Sequence, residues 1–281
     1  GPMSTTRFAA VLRPAALAGL LLASRGLSAT PVLVPVALRV HGQNEALWSV
    51  EARITNRTDA ARTFRVADFI GTPGWKPATF TVPPRATISL GGADIFNGPY
   101  TSSAVFGLAV LDADPELLVQ SAVLTGIWRP GGVSYFCPSF DGGTYPAGCQ
   151  GIVGAGPLVD GLAFSPAGKA LFIPWLHTDE GRRTNLVLVN PDEVAAHVSV
   201  VVVSQDGLTT CTEDYVFEPR SYNQLGDLFA QAPFAEIRAA NERIPFGAAA
   251  ATATITGDTR LVAMAYVIGN EDNSLTISLP R

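Results

Sequence analysis

Apolar and polar residues alternate with a period of two along much of this chain, in runs too short for helices. In WSVEARITN, Val50, Ala52 and Ile54 alternate with Glu51, Arg53 and Thr55, the pattern of a strand with one wet face, exposed at an edge. In NLVLVN every position from Leu186 to Val189 is apolar, which predicts a more deeply buried strand. Further strands are predicted over residues 64–69, 79–82, 86–90, 105–111 and 117–124, and again over 197–204, 212–217, 221–225, 249–256, 261–268 and 275–279. Gly, Asn, Asp and Pro fill the gaps, as at Asp206-Gly207, Gly257-Asp258 and Gly269-Asn270, where positive φ is cheap. Many short strands separated by tight turns are the arithmetic of a β-sandwich.

The pattern occurs twice. Asn56 ends a strand, Pro84-Arg85 precedes a polar one and Leu90-Gly91 closes it; Asn190, Pro219-Arg220 and Leu225-Gly226 follow in the same order. Asn56 to Pro84 is 28 residues and Asn190 to Pro219 is 29, and both Pro-to-Leu steps are 6. Residues 109–126 then align without gaps on residues 252–269. Between those blocks the second copy is longer, 42 residues from Pro219 to Leu261 against 34 from Pro84 to Leu118, which places an eight-residue insertion within 229–247. Self-similarity on this scale predicts two diverged copies of one all-β domain. The first spans 30–128 and the second 169–281, with a Gly/Pro/Cys-bearing segment at 129–168 between them. Tyr135, Phe136, Phe140 and Tyr145 make that segment too aromatic for a fully solvated linker.

Composition narrows the function classes. With 281 residues there is room for two cores, and 47% hydrophobic against 15% charged residues suits strands and turns. Lys76 and Lys169 are the only lysines among 19 basic residues, a skew of genome composition. The net charge is −5; without residues 1–29, which hold Arg7, Arg13 and Arg25 and no acid, it becomes −8. Such a balance argues against nucleic acid or anionic membrane as a partner.

Residues 1–29 read as a removable leader. Gly1-Pro2 ahead of Met3 has the form of a protease scar. Arg7 and Arg13 then supply a basic start, AALAGLLLA an apolar stretch too short to span a bilayer, and Leu27-Ser28-Ala29 a cleavage site, although Arg25 and Leu27 depart from the usual pattern. A helix packed on the first copy is the other reading of this segment. Export suits a disulfide, and Cys137 and Cys149, twelve apart in a loop, form the preferred pair, contributing about 3 kcal/mol by loop closure. Cys211 is then a free buried thiol, unless it pairs with Cys137 or Cys149. The three thiols lack zinc-ligand spacing.

Four blocks carry a resemblance: R-x-N-L-x-L-V-N-P at residues 183–191, the turn Asp206-Gly207, a P-x-S run ending L-x-D-L-F at 219–229, and A-x-A-Y-V-x-x-N-x-x-N-S-L-T at 263–276. Together with Gly143 to Tyr145 they resemble secreted bacterial hypothetical proteins with tandem immunoglobulin-like β-sandwich domains. Trp48 to Asn56 resembles the same group's first-copy block and departs from it between Ser49 and Arg53. The resemblance implies a fold and an exported location, and it transfers no catalytic residue.

Chemistry-bearing patterns are sparse. No G-x-S-x-G elbow is present. His177 with Asp179 and Glu180 is the one cluster that would suit an acid-base or metal role, in a turn that otherwise reads as solvated. His41 sits at a comparable place in the first copy, and His197 begins a strand. Asp112, Asp114 and Glu116 crowd one hairpin turn without the spacing of a calcium loop. Asn56-Arg57-Thr58 matches a glycosylation acceptor by chance. Of the tryptophans 48, 75, 128 and 175, Trp75 lies in GTPGWKP, where flanking Gly and Pro oppose burial in a strand, which makes it the best ligand candidate of the four, although packing over the end of its own domain is the favoured use for it.

The sequence therefore predicts an all-β chain of two tandem immunoglobulin-like sandwiches, secreted or held at the cell surface, with no cofactor and no catalytic site. Its function is structural or adhesive, with another protein or its own copies as partner. The alternative is a carbohydrate-binding module using Trp75, Trp48 and Trp128 on a surface glycan. An enzyme built around His177 ranks third.

Overall fold

The structure is a computed structural model that describes residues 30–37, 40–41, 46–71, 77–91, 106–128, 149–155, 159–244, 249–271 and 274–281. The N-terminal half holds β1 (Thr30–Ala37), β2 (Val40–His41), β3 (Ala46–Asn56), β4 (Arg62–Gly71), β5 (Ala78–Val82), β6 (Thr87–Gly91), β7 (Phe106–Ala113) and β8 (Leu117–Trp128). Next come β9 (Cys149–Ala155) and β10 (Val159–Asp160). The C-terminal half holds β11 (Leu171–His177), β12 (Arg182–Asn190), β13 (Ala196–Val203), β14 (Thr210–Phe217), β15 (Ser221–Leu225), β16 (Ala250–Gly257), β17 (Val262–Gly269) and β18 (Leu275–Ser278). A 3-10 turn (Leu228–Ala230) and the helix α1 (Ala235–Asn241) lie between β15 and β16. The chain is all-β, and the described strands form four antiparallel sheets.

The first sheet has the order β10-β8-β3-β2, with β6 also on β3 and β9 also on β8; the second is β1-β7-β4-β5. Val50, Ala52 and Ile54 of the first meet Val34, Phe64, Val66, Ala109 and Leu111 of the second in one core. The third sheet, β15-β12-β17-β18, faces the fourth, β11-β16-β13-β14. Their core joins Leu186, Leu188, Ala263 and Ala265 to Ile173, Val198, Val200, Val202, Ala253 and Ile255.

The two inner sheets also pack on each other. Leu33, Ile70, Leu108 and Val110 from the second sheet form a buried cluster with Val187, Val189, Val262 and Met264 from the third. Sheet side chains alternate between faces, so β7 and β12 each feed two cores. This explains why residues 183–190 are all buried. The alternation in β3 has a different cause from the one expected: β3 is central, flanked by β8 and β6, and its polar residues mark the outer face of the first sheet.

A bulge supplies the polar contact at this junction. Phe64 and Val66 point into the first core, so regular alternation would bury Asp68 there. The register of β4 on β7 shifts between Val66 and Asp68, and Phe69 takes the core position. Asp68 is thereby turned toward the C-terminal half, where Arg220 Nη2 donates to both its oxygens at 2.6 and 2.7 Å. Re-aiming one side chain is what a bulge does. At one end Trp48 and Val123 of the first sheet pack on Ile268 of the third.

The segment after β8 contributes two strands. β9 and β10 lie along β8, after which Leu162 bridges to Leu33 and Ser165 to Leu261. It runs past both sheets of the N-terminal half before entering the C-terminal one.

One turn is built twice. Asn56 is buried, and its Nδ2 donates to the carbonyls of Ala60, Val82 and Pro83, while Oδ1 accepts from the Thr58 amide and hydroxyl. Buried Asn190 repeats this, with Nδ2 on the carbonyls of Val194 and Glu218 and Oδ1 taking the Asp192 amide. Arg85 and Arg220 both adopt positive φ, 53° and 49°, and their amides donate to the carbonyls of Thr58 and Asp192. Each side chain then reaches an acid three residues after the asparagine, Asp59 and Glu193. The Asn56 amide nitrogen is thus enclosed by three carbonyls, so the acceptor motif around it is structural.

The 3-10 turn and α1 lie in the stretch where the sequence places the extra length of the second copy. Phe229, Phe234 and Ile237 enter the fourth sheet's core beside Cys211, a free buried thiol whose Sγ donates to the Pro233 carbonyl at 3.5 Å. Cys137 and the Cys149 side chain lie outside the described residues, as does the leader, and among the described residues there is no disulfide. Among these residues no helix is long and apolar enough to cross a membrane.

Candidate functional site

The exposed large hydrophobic side chains among the described residues, Phe172, Trp175, Val194, Leu208 and Val216, all belong to the C-terminal half. Four of them sit on the fourth sheet or the turn that leads into β14, and the sheet's two extremities concentrate them.

At one extremity lies a cleft around Trp175. Leu171 and Ile173 point into the core, and the β11 register on β16 slips between Ile173 and Leu176, so Pro174 and Trp175 occupy a bulge. Trp175 holds φ at 59° and is 59% exposed. A bulky residue in the left-handed region costs about 1–3 kcal/mol, and here the strain presents an indole to solvent. Pro174 fits because proline in a strand is tolerated at a bulge. The cleft, about 510 Å³, is lined by Trp175, Ser204, Gln205, Asp206, Gly207 and Thr252 together with Pro174, Val203, Ala250 and Ala251.

The opposite wall is a rigid turn. Ser204 Oγ donates to Asp206 Oδ1 at 2.6 Å, the Leu208 amide donates to the same oxygen at 3.0 Å, and the Thr209 amide donates to Ser204 Oγ at 3.0 Å. These bonds hold the Asp206 carboxyl below its ordinary range. Its Oδ2 takes no bond from the described residues. Gly207 closes the turn at φ 75°. The Gln205 amide donates to Asn241 Oδ1 at 2.9 Å, and Asn241 Nδ2 donates to Thr178 Oγ1 and the Ala250 carbonyl. One buried side chain of α1 therefore ties together three segments around the cleft.

The other feature is the strand β14. It ends the fourth sheet and pairs only with β13 among the described residues. Thr210, Thr212, Asp214 and Val216 face outward, Val216 at 64% exposure, and Leu208 at the entry to the strand is 85% exposed. Beside it a shallow depression of about 390 Å³ is lined by His197, Asp214, Val216, Thr256 and Asp258.

The His177 cluster is a surface network. Nδ1 lies 3.4 Å from Asp179, and Arg182 Nη1 lies 2.9 and 3.2 Å from Nδ1 and Nε2. A neutral ring that gives Nδ1–H to Asp179 and accepts Arg182 at Nε2 meets both partners. Burial lowers the His177 pKa, Arg182 adds to the shift and Asp179 opposes it. The unfolded ring thus binds its proton more readily than the folded one. The stability this supplies is complete above the unfolded value, about pH 6.5, and is lost as pH falls through the lower folded value. In urea unfolding, wild type is expected to lose more stability between about pH 7.5 and about pH 5.5 than His177→Gln does; equal losses would remove the ring from the account.

The other sequence candidates separate cleanly. Trp48, expected on an exposed strip, is 9% exposed because the C-terminal half covers it. Trp75 and the Trp128 side chain lie outside the described residues. The acidic hairpin is occupied by Arg62, which pairs with Asp114 and Glu116. No group of metal-ligating side chains is present among the described residues. Trp175 was missed by sequence reasoning, and its one signal is Pro174 inside an apolar strand. Comparison with protein-family models gives no match, and neither does comparison with curated proteins.

Proposed function

We propose that this is an exported, non-catalytic protein of the bacterial surface, with two immunoglobulin-like sandwiches in tandem, that docks another protein on β14. The open edge of β14 carries the reading. Among the described residues this eight-residue end strand is paired on one side only, and Val216 and an acidic residue, Asp214, face outward. A partner strand adding there gains main-chain hydrogen bonds, and the depression at His197, Asp214 and Asp258 suits a basic side chain on it. The Arg7 to Ala29 leader pattern and the secreted-protein blocks at residues 183–191 and 263–276 support export.

Beads carrying the full chain are expected to adhere to cells of the producing bacterium, and Val216→Lys should cut retention by about tenfold by setting a charge against the basic partner. Undiminished adhesion of that variant would overturn the reading.

A further inference from the structure

We propose that the cleft at Trp175 is a binding site for a neutral glycan, in which one pyranose ring stacks on the indole and its neighbouring hydroxyls bond to Asp206 and Gln205. The site shares no residue with the outer face of β14, so it goes beyond docking on that edge.

Three observations converge. The indole is displayed at the cost of a left-handed backbone that glycine would adopt without strain. The polar wall is fixed before any ligand arrives: Asp206 Oδ1 is consumed within its turn and Oδ2 remains for a ligand donor, while Asn241 anchors the Gln205 backbone. A second aromatic face continues the platform. Phe172 points to the same side of β11, 41% exposed, opposite Thr254, whereas Trp175 lies level with Thr252. Two residues along β16 separate those levels, roughly 7 Å, so consecutive rings of one chain can rest on consecutive aromatics.

The chemistry favours a sugar over other ligands. A quaternary ammonium or methylated amine is held in a cage of several rings, and this platform is open on one side. A hydrophobic peptide anchor needs a closed apolar pocket, whereas Ser204, Gln205, Asp206 and Thr252 line this one. A flat ring with an apolar face and hydroxyls at its rim satisfies the indole and the carboxylate together. An acidic sugar is disfavoured by Asp206.

The test is a glycan array of neutral and acidic oligosaccharides probed with the full chain, followed by titration of tryptophan fluorescence with each neutral hit. At least one neutral oligosaccharide is expected to bind. Trp175→Gly should weaken it by about tenfold or more and Phe172→Ala by a few-fold, while Val216→Lys leaves it unchanged. Because Trp175→Gly relieves the positive φ, its melting temperature is expected to equal or exceed that of wild type, which separates lost binding from lost folding. No neutral glycan retained, or equal binding by Trp175→Gly, overturns the proposal. Binding of acidic sugars alone overturns it as well. Cell adhesion that depends on Val216 while the array stays empty would leave the β14 reading standing and this one refuted.

Discussion

Replacing Asn190 with alanine is expected to remove about 2–4 kcal/mol of stability, measured by urea unfolding. Alanine takes away the donor shared by the carbonyls of Val194 and Glu218 and the acceptor of the Asp192 amide, and the side chain it truncates is fully buried. Buried polar groups without partners cost about 1–3 kcal/mol each, and some will recover water. Asn190→Asp separates the hydrogen-bond account from a packing one. It preserves volume and the oxygen facing Asp192 but turns a carboxylate oxygen toward two carbonyls. It should therefore destabilise at least as much as alanine. Asn56→Ala should behave likewise, since Asn56 makes the same turn with one more carbonyl. A loss below about 1 kcal/mol at both positions would show that the backbone holds these turns unaided.

Phe234→Ala is expected to cost about 3–5 kcal/mol. Phe234 is fully buried beside Phe229, Ile237 and Cys211, so the inserted segment is part of the core and truncation leaves a cavity. The effect should also reach the cleft. Phe234 precedes α1, whose Asn241 accepts from the Gln205 amide, and loosening the helix should speed hydrogen exchange at that amide. If the variant loses less than about 1.5 kcal/mol and Gln205 keeps its protection, the segment is a detachable cover.

The strands β3 to β8 and β12 to β18 were legible because a sheet with one wet face writes its period into the sequence, whereas β1, β2 and β9 to β11 were not among the predicted strands. The repeated turn was legible as well: the spacings from Asn56 to Pro84 and from Asn190 to Pro219 record a side chain that must reach carbonyls 26 to 28 residues away. The helix α1 lies inside the 229–247 window that the spacing marked out, and the 3-10 turn begins just before it. Four features were obscured for physical reasons. Deep burial of residues 186–189 could be read, but not which half covers the second face, because apolar neighbours from either half impose the same pattern. The mistaken edge position for β3 is the converse, since an outer face and an edge both demand polar residues. In the β4 run the acid at position 68 breaks the alternation set by Phe64 and Val66, and only the bulge reveals that Arg220 is its reason. Trp175 hid because LFIPWLH is an apolar run with nothing but Pro174 to mark the bulge, whereas Trp75 drew notice through its glycine and proline neighbours.

Packing of the second sheet on the third has a mechanical consequence. The second sheet is covered by the first on one face and by the third on the other, and Trp48 and Val123 carry the first sheet's own contact on to Ile268. The described contacts between halves combine a broad apolar face with the Arg220 and Asp68 clamp, an arrangement that resists bending more than a single tether would. A pull applied to the fourth sheet would be shared across that apolar contact as shear between side chains instead of falling on the connecting segment alone.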